Sequence, residues 1–376
     1  MKNAPLRILH VVYSLDPGGM ENGIVNITSA LDPEQFHVDV CCLERRGAFA
    51  DRLPPTTGVS VIDRAPGFSW ATGQALRREL LRLRPHLIHS HNLGPLIYSV
   101  IATLGGLSVP ILQGEHAELT TEDLTFRRLW LRRCLYRCCH SVHSVSHGLH
   151  DQLCRLRFPR SKLRVIVNGV DTARFAVPDD KTCMEARRNL GIPSHALVLG
   201  IVGRFGPFKR HQLLIEAFEH FVHENPDLYL LIVGGGGPEE PAVRARHGQS
   251  QFSNRILLTG FQPDPRPCYA AMDLLVVPSA NEGLSNAVLE AMACGRPVLA
   301  HRACGNAEVI TAGVDGFLED LSTPEYLQMA LAQVLKAPEH LPVMGVHARS
   351  KVASQFSLEK MVQEYKDIYR TVASVR

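Results

Sequence analysis

The feature that most constrains this chain is an alternation that runs from end to end: short, continuously apolar stretches separated by segments of helical period. The first half carries RILHVVYS, FHVDVCCLE, VSVID, LIHSHN, VPILQGEH, SVHSVS and LRVIVNG, and the second ALVLGIVGR, LYLLIVGGG, RILLTGF, DLLVVPS and RPVLAHR. Strands that are apolar throughout are buried on both faces, and strands joined through helices run parallel. The expected class is therefore α/β, with doubly wound, Rossmann-like parallel sheets. At 376 residues the chain exceeds the size at which one core keeps growing, so two such domains are expected, facing each other across a cleft. A stretch rich in proline and charge and without a strand, RFAVPDDKTCMEARRNLGIPSHA (174–196), reads as the linker. This divides the chain into 1–178, 179–355 and a terminal helix over 356–376. That helix places Met361, Tyr365, Ile368 and Tyr369 at apolar positions, free to pack back on the first domain.

Composition removes several function classes. No apolar run is long enough to span a bilayer, and MKNAPLRILHVVYS enters a strand without the pattern of a signal peptide, so a cytoplasmic protein is expected. Ten cysteines show neither C-x-x-C pairs nor zinc spacing, and most read as buried thiols in a reducing compartment. The net charge of +3 is uneven: up to residue 178 there are 21 Lys and Arg against 15 Asp and Glu, leaving 19 against 22. A basic first half suits an acidic partner, either a phosphate-bearing acceptor or an anionic membrane. The bias is too weak for a nucleic-acid reader, and no zinc finger or RNP sequence supports one.

In doubly wound folds ligands collect at the carboxyl ends of strands, so the residues that follow each strand carry the chemistry. In PSANEGLSNAVLEAMACGRP (278–297) two glutamates, Glu282 and Glu290, are separated by seven residues, the first in a loop and the second on a helix closed by Gly295. Ser285 or Asn286 can cap that helix, whose first N–H groups make an anion site. Two acids beside an anion site fit a ligand that carries hydroxyls beyond its phosphates, as a nucleotide-sugar does; two solvated glutamates are the plain alternative. GRFGPFKRH sets Arg204 and Lys209 at a helix start, where cations oppose the helix dipole unless they hold a diphosphate. SLDPGGMEN opens a helix with Gly18 and Gly19, which lets backbone approach a phosphate or sugar, although a tight turn needs the same residues. The four glycines 234–237 read either as a wall of a nucleotide pocket or as a turn, and LTGF (258–261) as backbone against a base or as a strand end. His91 and Asn92 in HSHN, His116 in GEHA, and Asn168 and Asp171 in NGVD close further strands at the same edge. A single histidine is more often structural, but four polar clusters on one edge favour a role for His116.

With these motifs in this order, the sequence resembles the family 4 retaining glycosyltransferases of the GT-B fold, over nearly its whole length. The resemblance implies a nucleotide-sugar, first of all a UDP-sugar, held mainly by the second domain and a glycan or lipid-linked acceptor held mainly by the first. It places His116, Arg204, Lys209 and Glu282 at the reacting centre. Arg204 and Lys209 would neutralise the diphosphate, Glu282 would accept from sugar hydroxyls, and His116 would meet the sugar near its 6-position. Gly283, Leu284, Ser285 and Asn286 would touch sugar and phosphate through backbone, Glu290 would bind the ribose, and Gly18 and Gly19 would sit by phosphate or acceptor. His91, Asn92, Asn168 and Asp171 would lie on the acceptor side of the cleft. Where many members read Ala-Thr-x-x-Gly-Gly-x-x-Glu, this chain has AHRACGNAE, with His301 and Cys304 at altered positions. The resemblance implies retention of the anomeric configuration through an oxocarbenium-like state, and, as no residue stands out as a covalent nucleophile, same-face attack assisted by the departing phosphate is expected. No D-x-D pair stands anywhere in the chain, so no metal ligand is assigned, and no cofactor beyond the nucleotide-sugar co-substrate is expected. An epimerase of the same fold or a non-catalytic nucleotide-sugar binder is the alternative class.

In DLTFRRLWLRRCLYRCC (123–139), Leu124, Leu131, Cys134, Leu135 and Cys138 share one face of a helical wheel, expected in the core. Phe126, Trp130, Arg133 and Arg137 share the other. Aromatics interleaved with arginines suit an anionic membrane surface on the cytoplasmic side, as in assembly of a bacterial surface polysaccharide, while an ordinary surface helix would carry them too.

Overall fold

A computed structural model describes residues 4–302 and 304–374, which form two compact units: Met1–Asn168 with Leu358–Arg376, and Gly169–Ser357. The first unit holds a seven-stranded sheet of β1 (Leu6–Ser14), β2 (Phe36–Arg45), β3 (Gly58–Val61), β4 (Leu87–His91), β5 (Ile111–Glu115), β6 (Ser141–Ser144) and β7 (Leu163–Val165). Its order is β3-β2-β1-β4-β5-β6-β7, and every pairing is parallel. The second unit holds β8 (Leu197–Val202), β9 (Leu228–Val233), β10 (Ile256–Gly260), β11 (Leu274–Val277), β12 (Val298–His301) and β13 (Gly316–Glu319), in the order β10-β9-β8-β11-β12-β13, again parallel throughout. Both orders reverse direction once, between β1 and β4 and between β8 and β11. At such a switch point the flanking loops diverge and leave a crevice at the strand ends.

The segment read as a linker belongs to the second unit. It contains the helix Asp180–Asn189, whose N-cap Asp179 accepts from the Thr182 N–H at 2.8 Å. Arg187 Nη2 donates to both carboxylate oxygens of Asp273 at 2.7 and 2.8 Å and so ties that helix to the residue that leads into β11. The terminal helix Leu358–Ala373 buries Met361, Val362, Tyr365, Tyr369 and Val372 as one stripe against Ile8, Leu87 and Leu112 of the first sheet. Each such side chain contributes ~1.5–3 kcal/mol by leaving water, enough to hold a helix remote in sequence.

The helix Phe126–Cys138 is turned relative to its expected wheel. Arg132, Leu135 and Tyr136 are its buried residues, whereas Leu124 and Cys138 are exposed. The reason is polar: the Arg132 guanidinium is drawn inward, 2.9 Å from Asp123 and 3.9 Å from Glu115. Arg133 also turns back to the protein, donating to the Leu156 carbonyl at 3.0 Å and lying over the Phe158 ring. The outer face is left with Phe126, Trp130 and Arg137. Among the described residues no helix is long and apolar enough to cross a membrane.

Candidate active site

At the switch point of the second unit, the loop after β8 and the loop after β11 are laced together by backbone. The Ala280 N–H donates to the Phe208 carbonyl at 2.9 Å, and Arg210 Nη1 donates to the carbonyls of Pro278 and Leu321, each at 3.1 Å. Arg210 takes a left-handed conformation (φ 56°), which ends the short turn Pro207–Lys209 and starts the helix His211–Val222. This arrangement points Lys209 at the opposite loop, where its Nζ forms an ion pair with the Glu282 carboxylate. Arg204 is exposed on the same loop and pairs with no carboxylate among the described residues.

The glycine run after β9 is the bed for that loop. Gly234 has φ 146° and a side chain there would come within 1.9 Å of the Gly203 carbonyl oxygen; one at Gly237 (φ 96°) would meet the Phe205 oxygen at 2.4 Å. The Phe205 N–H closes the contact on the Gly236 carbonyl at 2.9 Å. Two of the four glycines, Gly234 and Gly237, therefore let the backbone of this run lie against the loop that carries Arg204. At the end of β10, LTGF ends in Phe261, 45% exposed.

The helix Asn286–Ala293 starts at Ser285, which takes the N-cap position without a side-chain hydrogen bond. Gly283, Leu284 and Ser285 are buried, and Asn286 and Glu290 are partly exposed. Glu290 accepts from the hydroxyl of Tyr269 at 2.9 Å. Burial first, and the Glu290 charge second, hold that phenol well above its ordinary range, so it stays a donor. Gly305 presses on the Gly283 loop: a side chain at 305 would lie 1.9 Å from the Gly283 oxygen. His301, at the first altered position, uses Nδ1 to accept from the Leu321 N–H at 2.9 Å. The side chain of Cys304, at the second, lies outside the described residues.

In the first unit Gly18 precedes the helix Gly19–Ala30, and the Glu21 carboxylate lies over it, within 2.3 Å of where a side chain would begin. Asn92, with φ 65°, starts the helix Leu93–Thr103; its N–H donates to the Gly114 carbonyl at 2.9 Å, and its side chain reaches Met20 Sδ at 3.3 Å. The loops after β1 and β4 are thereby joined at the switch point. His116 is partly exposed just past β5, and its Nε2 lies 2.8 Å from Nδ1 of His91. His91 itself is 1% exposed and lies behind His116, because β4 is a central strand. Asn168 ends the first unit, and Asp171 begins the second with a turn in which its Oδ1 accepts from the N–H groups of Ala173 (3.0 Å) and Arg174 (2.8 Å). Thus Arg204, Lys209, Glu282, Gly283, Ser285, Asn286 and Glu290 all follow β8 or β11 at the switch point of the second unit. Gly18, Gly19, Asn92 and His116 gather at the corresponding edge of the first.

Several supporting residues were not expected. Tyr269 is one. Glu115, 2% exposed, is another: it accepts from Tyr136 Oη at 2.6 Å and from Gln113 Nε2 at 3.1 Å, while Arg132 bridges it to Asp123 and so ties both ends of the segment that carries His116. His211 is buried with neither ring nitrogen hydrogen-bonded, and burial, followed by Lys209, lowers its pKa to about 3. A cavity of about 830 Å³ runs along the edge strand β10, lined by Leu190, Arg244, His247 and Thr259 among others, and none of the candidate site residues lines it. Cys41, Cys42, Cys139, Cys268 and Cys294 are buried with thiol pKa values raised by burial, while Cys138 is exposed.

Comparison with known proteins agrees with this architecture. Residues 17–174 match the family model Glycosyltransferase Family 4, and residues 184–351 match Glycosyl transferases group 1. A D-inositol 3-phosphate glycosyltransferase of Corynebacterium efficiens is 31% identical over 367 residues, which is 89% of this chain and 86% of that protein. The UDP-Gal:alpha-D-GlcNAc-diphosphoundecaprenol alpha-1,3-galactosyltransferase of Escherichia coli is 26% identical over 387 residues, 98% of this chain and 97% of that one. Among solved structures, Anabaena HepE in complex with UDP-glucose superposes with a TM-score of 0.85 at 22% identity, covering 97% of this chain and all of that one (100%). Two Rossmann-like units and relatives matched along almost their whole length leave one conclusion: the chain belongs to the family 4 glycosyltransferases of the GT-B fold and is a glycosyltransferase, not an epimerase or a non-catalytic binder.

Proposed function

We propose that this glycosyltransferase moves a sugar from a UDP-sugar to a lipid-linked glycan on the cytoplasmic side of a membrane, with retention of configuration and without a metal. The observation that carries the reading is the ion pair of Lys209 and Glu282 on two loops laced at the switch point, beside Glu290. Two relatives support the choice of ligands: the Escherichia coli enzyme is named for UDP-galactose and a diphosphoundecaprenol acceptor, and HepE binds UDP-glucose.

As the glycosidic bond breaks, negative charge grows on the leaving diphosphate. Lys209, together with Arg204, meets that charge, and no D-x-D pair is required. Glu282 accepts hydrogen bonds from hydroxyls of the donor sugar, and its pairing with Lys209 fixes the carboxylate beside the leaving group. Glu290, oriented by Tyr269, accepts from the ribose hydroxyls, and Gly283, Leu284, Ser285 and Asn286 offer backbone to sugar and phosphate. On the first unit, His116 is assigned to the sugar, Gly18 and Gly19 to the phosphates or the acceptor, and Asn92 and Asn168, with Asp171, to the acceptor side; His91 acts only through His116. With Glu282 held by Lys209, attack on the same face as the departing phosphate is the route assigned to retention. The outer face of the helix Phe126–Cys138, with Phe126, Trp130 and Arg137, docks on anionic lipid.

Thermal unfolding in the presence of UDP, GDP, ADP or TDP tests the donor. A ligand at 100 times its Kd stabilises by ~2.7 kcal/mol, so UDP alone should raise Tm, and the shift should vanish in Glu290→Gln. Stabilisation by none of the four, or by all alike, overturns the reading.

A further inference from the structure

At the carboxyl edge of the first sheet, two aromatic side chains face water from a loop that is otherwise held down. Phe68 and Trp70 follow β3 and are each 60% exposed, their rings edge to face at 5.5 Å. The backbone beneath them is fixed by Tyr98, a residue of the helix Leu93–Thr103 that is 3% exposed. Its hydroxyl accepts from the Ser69 N–H at 3.3 Å and from Arg64 Nε at 3.2 Å, and donates to the Gly67 carbonyl at 3.2 Å. Phe68 also stacks on the Tyr98 ring, with 13° between the planes and 6.2 Å between centroids. An apolar pair that a fixed loop holds in water marks a contact surface.

The same scaffold presents a polar group. The Arg64 guanidinium lies over the rings of Tyr98 (5.6 Å) and Tyr13 (5.3 Å), and its Nη1 donates to Glu44 at 2.7 Å. Tyr13, near the end of β1, packs on the start of the helix Leu93–Thr103: a side chain at Gly94 would take the place of the phenol oxygen. That glycine stands two residues beyond Asn92, on the acceptor side of the proposed reaction. The Tyr13 hydroxyl has no hydrogen-bond partner among the described residues. Burial first, opposed by Arg64, raises its pKa, so it remains a donor.

Two kinds of ligand meet exposed aromatics, a lipid interface and the C–H face of a sugar ring, and the neighbouring charges separate them. Phe126 and Trp130 stand in FRRLWLRR among arginines, the pattern for anionic lipid. Beside Phe68 and Trp70 the charges cancel: the loop 62–69 carries Asp63 and Arg64, and Glu44, whose side chain is 33% exposed, takes up the Arg64 charge. A carboxylate is repelled by an anionic membrane, whereas carboxylates and a free phenol serve sugar hydroxyls. The negative face of an aromatic ring attracts the weakly positive C–H groups on the flat side of a pyranose. The sheet order sets the direction, because β1 borders the switch point and β3 is the edge strand.

We propose that Tyr13, Phe68 and Trp70 form an extended acceptor subsite for a glycan of at least two pyranose rings. The ring nearer the switch point receives a hydrogen bond from the Tyr13 hydroxyl, and the next ring outward lies on Phe68 and Trp70. The inference rests on the glycan acceptor of the proposed function and gives that acceptor a minimum length.

The test presents an array of lipid-free oligosaccharides to the full chain saturated with UDP. The parent should bind glycans of two or more rings. Phe68→Ala and Trp70→Ala should each weaken that binding roughly tenfold for a lost aromatic contact, and Tyr13→Phe should weaken it less, with Tm and the UDP-induced shift unchanged. A parent that binds no glycan overturns both the subsite and the glycan acceptor; glycan binding unaltered in the folded variants overturns the subsite alone. A second measurement needs neither alanine variant. The chain has two tryptophans, Trp70 and Trp130, so Trp130→Phe leaves Trp70 as the single reporter. Its emission should change when an oligosaccharide bound on the array is added, and not with vesicles of phosphatidylcholine and phosphatidylserine. No response to the sugar, or a response to the vesicles, overturns the proposal, the latter in favour of a lipid-facing loop.

Discussion

Lowering the pH from 7 to 5 should selectively unfold the first unit. His10 and His143 have pKa values of about 3 and His116 about 4, each lowered by burial first; burial, followed by neighbouring imidazoles, holds His89 and His91 well below their ordinary value. In the unfolded chain all five return to ~6.5. A depressed histidine pKa stabilises the fold fully above ~6.5, and that stability is lost as pH falls toward the folded value, because only the unfolded state takes up the proton. Each group costs ~1.4 kcal/mol per pH unit below 6.5, or ~2 kcal/mol at pH 5. Five independent groups would remove ~10 kcal/mol, comparable with the whole stability of a domain. The groups that face this cluster do not offset the effect: Tyr365 and Tyr369 are neutral phenols with raised pKa values, and the carboxylate of Glu115 is already taken by Tyr136, Gln113 and Arg132. Hydrogen exchange by mass spectrometry reads the units separately. Peptides from β1, β4, β5 and β6 should lose several kcal/mol of opening free energy between pH 7 and 5, after correction for intrinsic exchange, and unfolding should take up about four to five protons. The second unit, with His211 as its comparable buried histidine, should change by ~2 kcal/mol. Equal losses in both units, or no loss in the first, would show that these imidazoles are not held neutral by the fold.

Kinetics separates the roles in the second unit. Lys209→Ala should mainly lower kcat, by about 100-fold or more if the lysine acts as a preorganised electrostatic group, whereas Glu290→Gln and, more weakly, Tyr269→Phe should mainly raise the donor KM; a normal kcat in Lys209→Ala makes the lysine a mere anchor. Gly305→Ala should displace the Gly283 loop, since the new methyl would fall 1.9 Å from its carbonyl oxygen, and weaken UDP binding by at least tenfold in a protein whose first unit keeps its circular dichroism and exchange; unchanged UDP affinity would remove that contact from the account. Replacing Phe126, Trp130 and Arg137 together should release the protein from anionic liposomes without altering Tm, and unchanged co-sedimentation would reject the lipid-facing role.

The architecture was legible because its cause is local. An apolar run such as LLVV of β11 announces a strand buried on both faces wherever it stands, and the helices between such runs leave only parallel pairing. Glu282 and Glu290 were legible for a similar reason: their spacing spans a strand-end loop and the helix that follows it. What stayed hidden depends on residues remote in sequence. Lys209 and Glu282 are 73 positions apart, Tyr269 and Glu290 are 21 apart, and Tyr369 meets His10 across 359. No periodicity reports such pairings. The wheel of the helix Phe126–Cys138 misplaced its buried face because hydropathy treats arginine as a surface residue, whereas Asp123 and Glu115 draw Arg132 inward. The linker expectation gave weight to proline and charge in 174–196, where Arg187 instead finds Asp273 within the second unit.

The central reading is metal-free transfer with retention at a site built from Lys209, Arg204, Glu282 and Glu290. It is tested most directly by the stereochemistry of a single reaction. An α-linked UDP-sugar, labelled with ¹³C at the anomeric carbon, is incubated with a lipid-linked glycan acceptor and the enzyme in excess EDTA, and the new glycosidic signal is followed by NMR. The account predicts an α-linked product formed at the same rate with and without EDTA. A β-linked product, or transfer that stops in EDTA and returns with Mg²⁺ or Mn²⁺, would contradict it.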